Sequence, residues 1–143
     1  MHVLFLTPSF PAPESPVAGI FYRDQSRALR RRGHRLGVLV VPGLRSKPSV
    51  LSTRARSDVT LHISVSEDDG TPVYRGMTTG WAPRWWPRLN AALVRRAAAS
   101  MYDRYRRAHG APDVVHAHCA LYAGACAATL RRRHGMPYVL TEH

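Results

Sequence analysis

Val3, Leu4, Phe5 and Leu6 form a continuous apolar run with no polar alternation, the pattern of a parallel strand buried on both faces. A loop carrying Pro8, Pro11, Pro13 and Pro16 leads from it to Gly19. A helix over residues 19–32 is expected next, stopped at Gly33. Its spacing predicts Ile20, Phe21, Ala28 and Leu29 toward the sheet, with Arg23, Arg27, Arg30 and Arg31 as a second stripe. A second apolar run over residues 35–41, ending at Pro42-Gly43, completes a βαβ unit. Val59, Leu61, Ile63 and Val65 alternate with polar residues, as in a half-buried strand near a sheet edge. Glu67-Asp68-Asp69-Gly70 reads as a turn and residues 72–75 as a short returning strand. Leu89, Leu93, Ala97, Met101 and Tyr105 then recur at four-residue steps, predicting a helix over residues 89–109 that stops at Gly110 and Pro112. The remaining residues repeat the opening order: a strand over 113–117, a loop at His118, a helix over 121–134 closed by Gly135, and a strand over 138–141.

Strands alternating with helices at this rhythm predict an α/β fold, a Rossmann-like three-layer domain with a mostly parallel sheet. With 143 residues the chain is at most one ordinary domain, small for an enzyme that must enclose two substrates. The proline-rich loop is too long for the tight G-x-G-x-x-G turn that brings a dinucleotide pyrophosphate against a helix, so no nicotinamide cofactor is expected. No apolar stretch approaches the roughly 18–20 residues of a membrane span, and no secretory leader precedes the first strand, so a cytoplasmic location is expected. Trp81, Trp85 and Trp86 either pack their loop onto the domain or form a ligand-facing or membrane-facing patch.

Charge and cysteine usage add little. The net charge of +12 rests on 21 basic residues, all arginine except Lys47, a composition that a GC-rich genome also favours. It leaves a field attractive to phosphates, anionic lipid or nucleic acid, but the arginines are spread over several helices without a groove-reading motif, so no specific nucleic-acid partner is expected. Cys119 and Cys126 fall in a stretch that reads as helical, about 10 Å apart along its axis and beyond disulfide reach, and are read as reduced, buried small residues.

Ligands of such sheets bind outside the carboxyl ends of the strands. Three segments therefore share one rim: the loop ending at Gly19, the turn at His118, and Glu142-His143. Gly19 offers backbone N–H groups and the positive end of a helix dipole to a phosphate, or merely starts a helix. His116 reads as a core histidine bonded to backbone, and His118, at the strand end, is better placed for a ligand. His116, His118 and Cys119 lack the matching second ligand pair that zinc requires, so no metal is expected. His143 can donate to a sugar hydroxyl or phosphate oxygen, or simply end the segment in solvent. Neither a nucleophilic triad nor a carboxylate pair with acid/base spacing lies near this rim, and hydrolysis has little support.

Met1-His-Val-Leu-Phe-Leu-Thr-Pro-Ser-Phe-Pro11, Ala18-Gly-Ile-Phe21 opening a helix that ends Ala28-Leu-Arg-Arg-Arg-Gly-His34, Asp113-Val-Val-His-Ala-His118, and Gly135-Met-Pro-Tyr-Val-Leu-Thr-Glu-His143 together resemble the N-terminal domain of family 4 retaining glycosyltransferases, which have the GT-B fold. The resemblance implies transfer of a sugar from a nucleotide-sugar donor, as substrate rather than cofactor, to a sugar or lipid-linked acceptor, with retention at the anomeric carbon. It implies Gly19 at the donor diphosphate, His143 as the catalytic-side histidine that contacts the transferred sugar, and His118 and Glu142 on the acceptor and sugar side. Many members carry a Gly-Gly pair where this chain has Ala18-Gly19. Members that act on lipid-linked acceptors suggest peripheral contact at the inner face of the membrane. Residues 1–143 are expected to be the acceptor-side domain, incomplete at its C-terminal end and lacking the nucleotide-binding second domain, and so inactive alone. A basic nucleic-acid-binding module and a stand-alone flavodoxin-like domain are the alternatives.

Overall fold

A computed structural model describes residues 1–45, 60–79 and 87–142. In chain order it contains β1 (His2–Thr7), α1 (Ile20–Arg31), β2 (Arg35–Arg45), β3 (Thr60–Asp68), β4 (Thr71–Thr79), α2 (Pro87–His109), β5 (Val114–His118), a π-helical turn (Ala120–Gly124), α3 (Ala125–His134) and β6 (Tyr138–Thr141). The strands form one sheet in the order β3-β4-β2-β1-β5-β6. Every neighbouring pair is parallel except β3 with β4. The expected α/β, Rossmann-like, mostly parallel sheet is therefore present.

β1 is the centre of the domain because its six residues are buried on both faces. Leu4 and Leu6 face a core built with α2 and α3, including Met101, Tyr102, Tyr105 and Leu130. Val3 and Phe5 face a second core with Phe10, Tyr22, Leu36, Val38 and Val73. Period-two alternation along one strand thus fills two cores, giving the three layers α1, sheet, and α2 with α3.

Several elements differ from the sequence expectation. Ile20 and Phe21 do not face the sheet; they are 40% and 49% exposed, whereas Tyr22 and Ser26 are buried and Leu29 packs on the second core. The inward stripe follows 22, 26 and 29, and the helix's first turn projects past the strand ends. β2 does not stop at Pro42 but continues to Arg45 through a bulge between Val40 and Gly43, the irregularity by which a proline is accommodated in a strand. β4 has nine residues rather than four and lies inside the sheet, between β3 and β2. β3 is the edge, with Leu61 and Ile63 packed on the core and Val65 exposed. Cys119 is not helical: it precedes the π turn with φ +72°, whereas Cys126 lies in α3. Both are free thiols, and burial pushes the Cys126 thiol up to about 11. Lys47, Val59 and the three tryptophans lie outside the described residues.

Beneath the sheet, Tyr105 lies directly over Gly37: a Cβ there would meet the Tyr105 hydroxyl at 2.1 Å. Tyr105 Oη is 2.6 Å from His2 Nε2, and His2 Nδ1 is 3.2 Å from the Ala111 carbonyl. A neutral imidazole satisfies both contacts by donating from Nδ1 and accepting at Nε2. His109 Nε2 contacts the Tyr74 hydroxyl at 3.1 Å. Burial, then the Arg35 guanidinium, hold both His2 and His109 below the ordinary histidine value of 6.5. Below 6.5 the unfolded chain therefore binds protons that the folded chain refuses. The stability these groups contribute is present above 6.5 and lost as pH falls through the folded values. Calorimetry from pH 7.5 to 5.5 should show a falling Tm, with a shallower slope in H109Q; a Tm constant or rising on acidification would contradict this.

Candidate functional site

β1 is flanked by β2 on one side and β5 on the other, and the chain departs from its carboxyl end in one direction and returns in the other. That reversal is the topological switch point where open α/β sheets bind ligands. Thr7 and His118 end the two strands there.

The proline loop after β1 is held at this rim by a small turn, in which Ala12 and Ser15 exchange backbone hydrogen bonds of 3.3 and 2.9 Å. Arg75, from β4, donates to the Pro11 carbonyl. Phe10 is buried in the α1-side core. The loop closes at Gly19, whose φ of +70° and ψ of 27° are left-handed. A Cβ on Gly19 would stand 2.6 Å from the Ser9 carbonyl oxygen and 2.9 Å from Ser9 Oγ. Glycine is required twice over, by conformation and by the close approach of two backbones.

On β5, His116 and His118 share the α1 side of the sheet with Phe5. Their rings lie 4.2 Å apart and 5.2 and 4.8 Å from Phe5. Tyr22 closes over His118 at 4.7 Å. His118 is consequently fully buried, and His116 is the half-buried one, with Nε2 2.8 Å from Thr141 Oγ1. This reverses the expected order. α1 shelters the end of β5, whereas β6 is an edge strand whose Val139 and Leu140 are 53% and 46% exposed. His118 thus lies beneath the rim, behind Tyr22 and Phe5.

Glu142 belongs to the same corner. Its Oε2 accepts a 2.6 Å hydrogen bond from the Ala120 backbone N–H, at the start of the π turn, where a carboxylate also meets the positive end of the helical segment. Cys119, between His118 and that turn, donates its N–H to the Thr141 carbonyl at 2.9 Å and accepts at its own carbonyl from Gly124 at 3.0 Å. These bonds hold it at a positive φ that costs a non-glycine residue roughly 1–3 kcal/mol. Its Sγ is 3.7 Å from Tyr22 Oη. Burial, reinforced by that contact, pushes the Tyr22 hydroxyl well above its ordinary value, so it stays protonated.

Gly19 and Glu142, from separate segments, therefore stand at one rim, with His118 buried directly beneath it. His143 lies outside the described residues. Tyr22 and Cys119 were not anticipated. The i, i+4, i+7 stripe of Tyr22, Ser26 and Leu29 could have identified the first, but nothing in the sequence announces the backbone turn at the second. Among the described residues no three His, Cys, Asp or Glu side chains converge as metal ligands would.

Two comparisons bear on this rim. The family model described as a glycosyl transferase 4-like domain matches residues 18–143, which include Gly19, His118 and Glu142. The whole chain is 28% identical, over 147 aligned residues, to a protein of Bacillus subtilis (strain 168) named as a candidate teichuronic acid biosynthesis glycosyltransferase, TuaC. The chain spans about a third of that relative's length, 36%.

Proposed function

The chain belongs to the glycosyl transferase 4-like domain family, and from that premise we propose that its rim is the acceptor-side half of a retaining hexosyltransferase site. In this reading residues 1–143 act as the N-terminal domain of a GT-B arrangement, and a second, nucleotide-binding domain supplies the remainder of the donor site. The first turn of α1 at Gly19 approaches the donor diphosphate, where backbone N–H groups and the helix dipole favour anionic oxygens. His143 contacts the transferred sugar. Glu142 meets the acceptor or sugar from the opposite wall of the corner, and His118 acts from beneath, its ring braced by Phe5 and Tyr22. No metal is assigned to the step, and the nucleotide-sugar is substrate rather than resident cofactor. A cytoplasmic location is part of the proposal, and the two free cysteines accord with it.

The placement of Gly19 and Glu142 at the carboxyl end of one sheet, at its switch point, with His118 ending β5 beneath them, is the observation that supports this most. The test is a titration of the isotope-labelled 143-residue chain with a panel of nucleotide-sugars, followed by amide NMR and by assay of nucleotide release. Shifts confined to residues 9–22, 118–124 and 141–143, with no turnover by this chain alone, are the expected result. Shifts elsewhere, or none at millimolar ligand, would overturn the site. Turnover by the chain alone would overturn the half-site assignment while leaving the rim intact.

A further inference from the structure

β1 is buried throughout, and its last residue, Thr7, is polar where Val3, Leu4, Phe5 and Leu6 before it are apolar. The register places Thr7 beside Val40 of β2, and one step past the Leu6–Ala117 pair it stands opposite His118 of β5. Residues in register share a face of the sheet. Val40 packs on the α1-side core, and the His118 ring lies against Phe5 and Tyr22. The Thr7 side chain therefore also faces the α1 layer, at the carboxyl end of the strands and next to the ring that Tyr22 covers from the first turn of α1. Its Oγ1 is fully enclosed and has no hydrogen-bond partner among the described residues.

Other buried hydroxyls of the domain are satisfied. Ser26 Oγ donates to the Arg23 carbonyl at 2.8 Å, Thr129 Oγ1 donates to the Ala125 carbonyl at 2.9 Å, and Thr71 Oγ1 accepts from Arg30 at 3.4 Å. The two helical residues bond back to the preceding turn; Thr7 lies in a strand, where no preceding turn offers a carbonyl. Arg27 Nε and Asp68 Oδ2 are also unpaired, but their groups meet through other atoms at 3.1 Å. A threonine has a single polar side-chain atom, so burying it unpaired carries the full desolvation penalty of the group. Valine has the same shape, suits a strand equally well and avoids that penalty. The hydroxyl thus works against the stability of the free chain, at the switch point where ligands of such sheets bind.

We propose that Thr7 is a ligand-binding residue: its Oγ1 donates a hydrogen bond to a phosphoryl oxygen held at the head of α1, and the penalty is relieved only in the complex. The hydroxyl lies beside the N-terminal turn of a 12-residue helix, whose N–H groups and dipole attract negative charge. Arg75, registered beside Val40 in the same row, brings a guanidinium to this end of the sheet and ties down the loop at Pro11. Its charge is partly answered by Glu14 and Asp68, so the helix terminus is the larger attraction. Pro8, the next residue, is exposed. The hydroxyl therefore lies one residue beneath the outer surface, and a small displacement of the loop brings it to the ligand. The identity of that ligand as a nucleotide-sugar rests on the transferase reading; the unpaired hydroxyl does not.

T7V and T7S, compared with the wild-type chain by calorimetry and by NMR titration with inorganic pyrophosphate, UDP-glucose and GDP-mannose, test this. T7V keeps the shape and removes the hydroxyl, so the free chain should melt no lower than wild type and up to about 4 °C higher. Pyrophosphate, and whichever nucleotide-sugar binds the wild type, should bind T7V about tenfold more weakly. T7S keeps the hydroxyl and should bind within about threefold of wild type. A threonine with only a structural role would give the reverse, a T7V chain that melts lower and binds normally. A lower Tm or a lost fold in T7V, unchanged binding by T7V, or equal losses of binding in T7V and T7S would each overturn the proposal and leave the transferase reading intact. Pyrophosphate binding that depends on Thr7, without binding of either nucleotide-sugar, would uphold the contact and count against that reading. No binding of any probe to the wild-type chain would overturn both.

Discussion

Replacing Gly19 by alanine should destabilise the domain by about 3 kcal/mol. Two costs add. A non-glycine residue in the left-handed region loses roughly 1–2 kcal/mol, and Gly19 sits at φ +70°. The new methyl group would also lie 2.6 Å from the Ser9 carbonyl oxygen, and forcing a carbon into a packed site typically costs about 1–3 kcal/mol. For a chain of this length the sum corresponds to a Tm lower by about 10 °C. The contact is with backbone, which separates this account from a simple side-chain clash. S9G removes Oγ but leaves the carbonyl in place, so S9G/G19A should recover little of the loss. Full recovery would show that the hydroxyl, not the main chain, sets the spacing. In the nucleotide-sugar titration, G19A should also weaken the shifts at residues 19–21, because the first turn of α1 must lift away from Ser9.

The same residue shows how far the sequence could be read. A glycine at the head of a helix was legible as a candidate phosphate site, yet its left-handed φ and the closeness of the Ser9 backbone require glycine whatever ligand approaches. Strand β6 was legible to the residue, since Pro137 bars the helix from continuing and the apolar run that follows is short. The helix stops at Gly33, Gly110 and Gly135 were legible for the same local reason, and all three have positive φ. Facing was less legible. Ile20 and Phe21 are apolar and helical but overhang the strand ends, and hydrophobic periodicity reports the phase of a helix without saying where the sheet beneath it ends. The order of burial of His116 and His118 was also hidden. It depends on α1 crossing one end of β5 and on β6 being an edge, both consequences of strand order rather than of local pattern.

The second large effect is expected at Phe5, because the histidine pair rests on it. Phe5 is fully buried on the central strand, registered against His116 and 4.8 Å from the ring of His118. F5A removes the ring from a site bounded by β1, β5 and Tyr22, where rigid strands limit collapse, so the loss should be about 3–5 kcal/mol. Domains of this size hold roughly 5–15 kcal/mol in total, and F5A therefore takes a large share of the margin. F5L keeps most of the volume and should cost less than half as much. Urea denaturation of the two variants measures both values. Because F5L should remain folded, it also reports on the site: with the edge-on aromatic contact gone, the His118 imidazole should gain water, read by NMR as faster solvent exchange of its ring N–H. A loss below about 1 kcal/mol for F5A would mean that the wall beneath His118 collapses freely. In that case the position of His118 would be set by Tyr22 and the β5 backbone, and Y22A rather than F5A would be the substitution that exposes it.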